Sequence, residues 1–87
     1  MNRRFSLLVD DRPETLLRVA GLCLRRRADV LSLSYGRCRH AGWARLDLEL
    51  EVDERHGRGL AERLDSLVDV RDVAELRPAG SAAEAVQ

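Results

Sequence analysis

From Trp43 to Val52 the chain alternates strictly: Leu46, Leu48, Leu50 and Val52 are interleaved with Arg45, Asp47, Glu49 and Glu51. A period of two sends one set into a core and the other into water, so this segment reads as a strand with one covered face. In a single small chain that cover has to come from helices or a second sheet. Just upstream, Val30 to Arg39 places Leu31, Leu33 and Tyr35 between Ser32, Ser34 and Gly36, and only His40, Ala41 and Gly42 separate the two runs. So short a connection makes an antiparallel hairpin.

The hairpin sits between two strand–helix units. Phe5, Leu7 and Val9 share one face of a strand over Arg4 to Val9, while Leu8 on the other face predicts a central strand covered on both sides. Asp10, Asp11 and Arg12 form a turn, and Asp11 with Glu14 three residues later fits a capping box. Pro13 suits the first turn, where no N–H is needed. Leu16, Val19, Ala20, Cys23 and Leu24 then recur at helical spacing, with Leu17 at the margin and Arg18, Arg25 and Arg26 pointing away. This helix is expected to end near Arg27, and Gly21 within it predicts a close neighbouring backbone.

Beyond the hairpin, Asp53 to Gly57 reads as a loop. Leu60, Ala61, Leu64 and Leu67 give a short second helix, and Val68 to Leu76 a last strand. Residues 77–87 carry no periodic core face and are expected to form a flexible tail after a domain over 1–76. The order is therefore β-α-β-β-α-β. Right-handed crossovers fold that order into a four-stranded antiparallel sheet with both helices on one face, the ferredoxin-like α+β arrangement. The other face stays open, either wet or packed on another sheet.

Composition narrows the function. The chain has 87 residues, enough for one domain, and with one Phe, one Trp and one Tyr its core must be aliphatic. Fifteen basic and fifteen acidic residues cancel, which is unlike the basic excess of a nucleic-acid binder. The cluster Arg25 to Arg27 suits the unpaired carbonyls of a helix C-terminus, and that reading is preferred to phosphate binding. Trp43 and Tyr35 do not supply the stacking pattern of an RNA-recognition sheet.

Cys23 and Cys38 are isolated, so no structural disulfide is expected, nor a metal site with His40 or His56. No apolar run reaches the ~20 residues of a membrane span, and no secretory leader is recognisable, so a cytoplasmic protein is expected. The chain shows no phosphate-cradling glycine loop and no nucleophile beside a base, so it is read as a non-enzyme with no cofactor of its own.

The turn at Asp11 and Arg12 is the candidate site. A helix start gathers unpaired N–H groups beside the end of the first strand. Such a mouth holds a small anion or is plugged by the protein itself.

Three segments resemble a known family. Arg12-Pro-Glu-Thr-Leu-Leu-Arg-Val-Ala-Gly-Leu22 is close to "N-P-G-x-L-x-R-V-x-x-L". Arg25-Arg-Arg-Ala-Asp-Val-Leu-Ser-Leu33 is close to "R-R-G-F-x-I-x-S-L". Arg63-Leu-Asp-Ser-Leu-Val-Asp-Val-Arg-Asp-Val73 is close to "Q-L-N-K-L-I-D-V-x-x-V". In order and spacing they resemble an ACT domain, and more narrowly the short, single-ACT, valine-insensitive small subunits of acetohydroxyacid (acetolactate) synthase.

The resemblance implies a regulatory subunit that binds and activates a catalytic large subunit in branched-chain amino acid synthesis. Thiamine diphosphate, magnesium and FAD would belong to that partner. It also implies self-pairing of ACT domains as a homodimer, with no nucleic acid and no membrane. Two departures matter. Glu14 stands where many ACT domains have glycine, and a carboxylate capping the helix donors would compete with an effector's carboxylate, which predicts weak or no valine binding. Ala28 stands where the family prefers an aromatic residue, leaving a smaller core or a place for another residue such as Trp43.

The alternative is a free-standing amino-acid sensor. Its effector sites would lie between the first loop of one copy and the second strand of another. They would be lined from Asp11, Arg12, Pro13, Glu14, Thr15, Ser32 and Ser34.

Overall fold

The computed structural model describes residues 1–76, and the expected flexible tail over 77–87 lies outside the described residues. The elements run β1 (Asn2–Asp10), α1 (Pro13–Arg25), β2 (Asp29–Arg37), β3 (Trp43–Glu51), α2 (Glu54–Gly57), α3 (Leu60–Asp65) and β4 (Val70–Leu76). The four strands form one antiparallel sheet in the order β2-β3-β1-β4, which is the ferredoxin-like arrangement.

The β3 alternation carries the core. Leu46, Leu48, Leu50 and Val52 are buried while Arg45, Asp47 and Glu51 are exposed. Register pairs Phe5 with Leu48 and Leu7 with Leu46, so β1 adds its own buried stripe beside them. The helical segments close over this surface with Val19, Cys23, Leu60 and Leu64.

Several expectations need correction. β1 is central, but Leu8 pairs between Arg45 and Asp72 and is only partly buried, so the second face is not covered. The buried stripe of α1 is Thr15, Val19, Leu22 and Cys23, rotated from the expected one, and Leu24 is left 66% exposed. Both stripes obey helical spacing, and packing against the sheet selects between them. Among the described residues no foreign backbone approaches Gly21; a Cβ there would meet only the Arg25 guanidinium of the same helix, at 3.4 Å.

α1 stops at Arg25 because Arg27 turns left-handed, with φ 57°, and the Ala28 N–H returns to the Cys23 carbonyl at 2.9 Å. That is the geometry of a Schellman-type stop. Ala28 itself is buried, and Trp43 does not fill in for a larger residue there. Its neighbour Ala44 points to the core, so Trp43 takes the open face, 39% exposed, with His40 edge-on at 6.3 Å.

The expected second helix is two. The Asp53 carboxylate accepts the His56 N–H at 2.6 Å and starts α2 in what read as a loop. Gly59, at φ 73°, then breaks the chain before α3. In β2 the register steps from Val30↔Leu50 to Ser32↔Glu49, so Leu31 is an extra, bulged residue. The bulge puts Val30, Leu33 and Tyr35 on the helix side, while Ser32 and Ser34 face the open side opposite Glu49 and Asp47.

Candidate functional site

The β1–α1 turn is strapped down by carbonyls. The Asp10 N–H donates to the Asp69 carbonyl and the Asp11 N–H to the Gly42 carbonyl, each at 2.9 Å. The Arg12 N–H donates back to the Asp10 carbonyl at 2.9 Å, and the Thr15 N–H to the Arg12 carbonyl at 3.1 Å. Four amides around the helix mouth therefore already have partners. Side chains reinforce the straps. Arg18 on α1 pairs with the buried carboxylate of Asp69, and Arg71 Nε meets Asp10 at 2.9 Å.

The expected capping box does not form. The N-cap residue is Arg12, in extended conformation and without a side-chain cap bond. Asp11 turns toward β2, where the Tyr35 hydroxyl donates to its Oδ1 at 2.6 Å and Arg37 Nε lies 2.9 Å from Oδ2. Two donors there outcompete helix amides for one carboxylate. Glu14 is exposed in the first turn and makes no hydrogen bond among the described residues, so it does not occupy the helix donors. Asp11, Tyr35 and Arg37 thus hold the turn against β2, and the Glu14 N–H has no backbone acceptor among the described residues.

This cluster has a titration signature. Donation to Asp11 holds the Tyr35 proton, helped by burial and by the negative charge, and pushes the phenol from 10 up to about 12 against the opposing pull of Arg37.

The structure separates the other candidates. Arg12 and Pro13 are exposed beside Glu14, whereas Thr15 is wholly buried. The Thr15 Oγ1 finds no hydrogen-bond partner among the described residues. Ser32 and Ser34 lie on the opposite face of the sheet from α1 and do not converge with the mouth of their own chain. Tyr35, Arg37 and Asp69 were not among the expected site residues. For Tyr35 a signal existed: the one tyrosine of the chain sits at an inward position of an edge strand.

Among the described residues no three His, Cys, Asp or Glu side chains gather as metal ligands, and Cys23 and Cys38 are both free thiols. Among the described residues no helix is long and apolar enough to cross a membrane.

The fold and sequence have known relatives. The ACT domain family profile matches residues 11–73. A probable acetolactate synthase small subunit of Methanothermobacter thermautotrophicus is 34% identical over 76 residues, covering 87% of this chain and 45% of that protein. Its counterpart in Archaeoglobus fulgidus is 29% identical over 76 residues, covering 87% of this chain and 48% of that one. The crystal structure of the acetolactate synthase small subunit from Thermotoga maritima superposes with a TM-score of 0.76 at 25% identity, covering 93% of this chain and 50% of that chain. The chain thus spans about half the length of the curated relatives it matches.

Proposed function

The chain belongs to the ACT domain family, and on that premise we propose that it is a non-catalytic regulatory subunit of acetolactate synthase. In this reading it binds the large subunit, which carries thiamine diphosphate, magnesium and FAD and forms acetohydroxy acids for branched-chain amino acids. The carrying observation is the likeness to acetolactate synthase small subunits across nearly the whole described fold. The strapped turn supports it, because four of its amides and the Asp11 carboxylate are engaged within the chain. Weak or absent valine binding follows from the same engagement.

Activation is then a coupling free energy. The subunit must bind the competent form of its partner more tightly than the incompetent one, and about 1.4 kcal/mol shifts that equilibrium tenfold. Self-pairing belongs to the same proposal. β2 is an edge strand with Leu31 54% exposed, and α1 shows Leu17 and Leu24 to solvent. A second copy placed along β2 covers both features and removes an open sheet edge.

Co-purification from the native host followed by acetolactate synthesis assays tests the reading. Activity should rise with added chain and saturate. Activity unchanged at a saturating amount refutes it.

One observation favours the second reading, an amino-acid sensor: the buried, unpartnered Thr15 hydroxyl at the helix start. A stoichiometric rise in melting temperature with valine, leucine or isoleucine, in the absence of any other protein, supports that reading and refutes the closed mouth.

A further inference from the structure

The end of α1 holds more positive charge than the helix needs. Cations at a helix C-terminus are ordinarily explained by its unpaired carbonyls. Here the carbonyls of Leu22, Cys23 and Leu24 already accept backbone amides from Arg26, Ala28 and Arg27. Arg25 is left exposed and Arg26 half-buried, and α2 sets Arg55 and His56 against them. These four side chains line one cleft of about 270 Å³.

The two walls of the cleft are tied together. Arg26 Nη2 donates to the Arg58 carbonyl at 2.9 Å, across from Gly59, while Arg26 Nε is buried without a partner among the described residues. Among the described residues no carboxylate lines the cleft. Two acids begin α2: Glu54 is exposed, and Asp53 faces His56, with its Oδ2 2.8 Å from Nδ1. Among the described residues none of Arg25, Arg26 and Arg55 lies within an ion pair. Three permanent cations line the cleft and, among the described residues, only Asp53, beside His56, stands against Arg55, so an anion seated among them gains favourable charge pairing.

We infer that the cleft between the C-terminus of α1 and α2 binds a compact phosphate-type oligoanion, such as the diphosphate moiety of a small molecule. The guanidinium forks of Arg25 and Arg55 offer paired N–H donors of the geometry that phosphate oxygens accept. The size of the cleft suits a short oligophosphate better than a length of polypeptide. The inference does not depend on the subunit reading; it uses only the helix ends.

Calorimetric titration of the full chain with inorganic pyrophosphate, at two salt concentrations, tests it. Saturable one-to-one binding is expected, weakened by salt. Arg25→Ala and Arg55→Ala should each weaken it about tenfold, from the loss of a charge-assisted hydrogen bond. Arg45→Ala on the open sheet face should leave it unchanged. Absence of saturable binding overturns the inference. So does equal weakening by Arg45→Ala, which marks diffuse attraction. An acidic peptide of matched charge that binds tighter than pyrophosphate also overturns it, by making the cleft a protein-docking surface.

Discussion

Replacing Asp11 by alanine isolates the contact that closes the helix mouth. Tyr35 donates to Asp11 at 2.6 Å, and it is the one tyrosine of the chain, so phenolate absorbance reports on it alone. With the carboxylate present the phenol is held up to about 12; with alanine its midpoint should fall toward the ordinary 10. The sign is fixed by linkage. A folded-state value raised above the unfolded one adds stability that is complete below pH 10 and lost as pH rises from 10 through about 12.

The size of the effect follows from the environment. A hydrogen bond to a charged group contributes about 1.5–3 kcal/mol when well buried. Tyr35 and Asp11 are partly exposed and Arg37 is 81% exposed, so solvent screening brings the pair below that range, to about 1 kcal/mol, and the arginine adds little. In a domain this small that is a loss of about 4–8 °C in melting temperature. A double-mutant cycle with Tyr35→Phe separates the tyrosine's share from that of Arg37. A wild-type midpoint near 10, measured while circular dichroism reports a folded chain, refutes the reasoning. So does a midpoint that Asp11→Ala does not move.

Leu64→Ala removes a fully buried side chain from α3 and should cost about 2–5 kcal/mol in urea unfolding. Leu17→Ala, at a position 74% exposed, should change stability by less than about 0.5 kcal/mol in dilute monomer, and a larger, concentration-dependent loss reports self-pairing through that face. Gly57→Ala places a Cβ 3.2 Å from Val52 Cγ1 and 2.8 Å from Arg3 Nη1; the guanidinium can move and the valine cannot, so about 1–3 kcal/mol should be lost. Burial pushes the Cys23 thiol up to about 11, so iodoacetamide at pH 8 should label Cys38 and spare Cys23 until the chain unfolds, as peptide mass spectrometry will show. Thr15→Val keeps the shape and removes an orphaned buried hydroxyl, so it should be neutral or stabilising by about 1 kcal/mol in thermal melts.

The sheet was legible because β3 leaves no choice of phase: shifting it by one residue would bury Asp47 and Glu49. The helix was legible in place but not in rotation. Leucines at 16, 17, 22 and 24 fit more than one stripe, and the sheet accepts the one that buries Thr15 and Leu22. α2 was missed because four residues hold no apolar period, although Asp53 three residues before His56 carries a cap signal. The candidate site was half legible for a similar reason. Asp11 sits where a cap belongs, and local spacing cannot reveal that Tyr35, 24 residues away, competes for it. The bulge at Leu31 decides that competition, since it sets Tyr35 on the helix side.

The closure of the mouth rests on several modest terms acting together. An incoming carboxylate seeking helix donors meets the amides of Asp10, Asp11, Arg12 and Thr15 already bonded to carbonyls. Each exchange returns about what it removes, near 1 kcal/mol per bond, so no net attraction arises from them. The charge of Asp11 adds repulsion, and releasing it would strand Tyr35 and free Arg37. Exposed Glu14 contributes a second negative charge at the same end of α1, screened by water yet of the wrong sign for an anion. Glu14 thus opposes an effector by field and not by occupancy. Glu14→Gly alone should therefore not open the site, whereas loss of Asp11 frees the one group that holds the turn against β2.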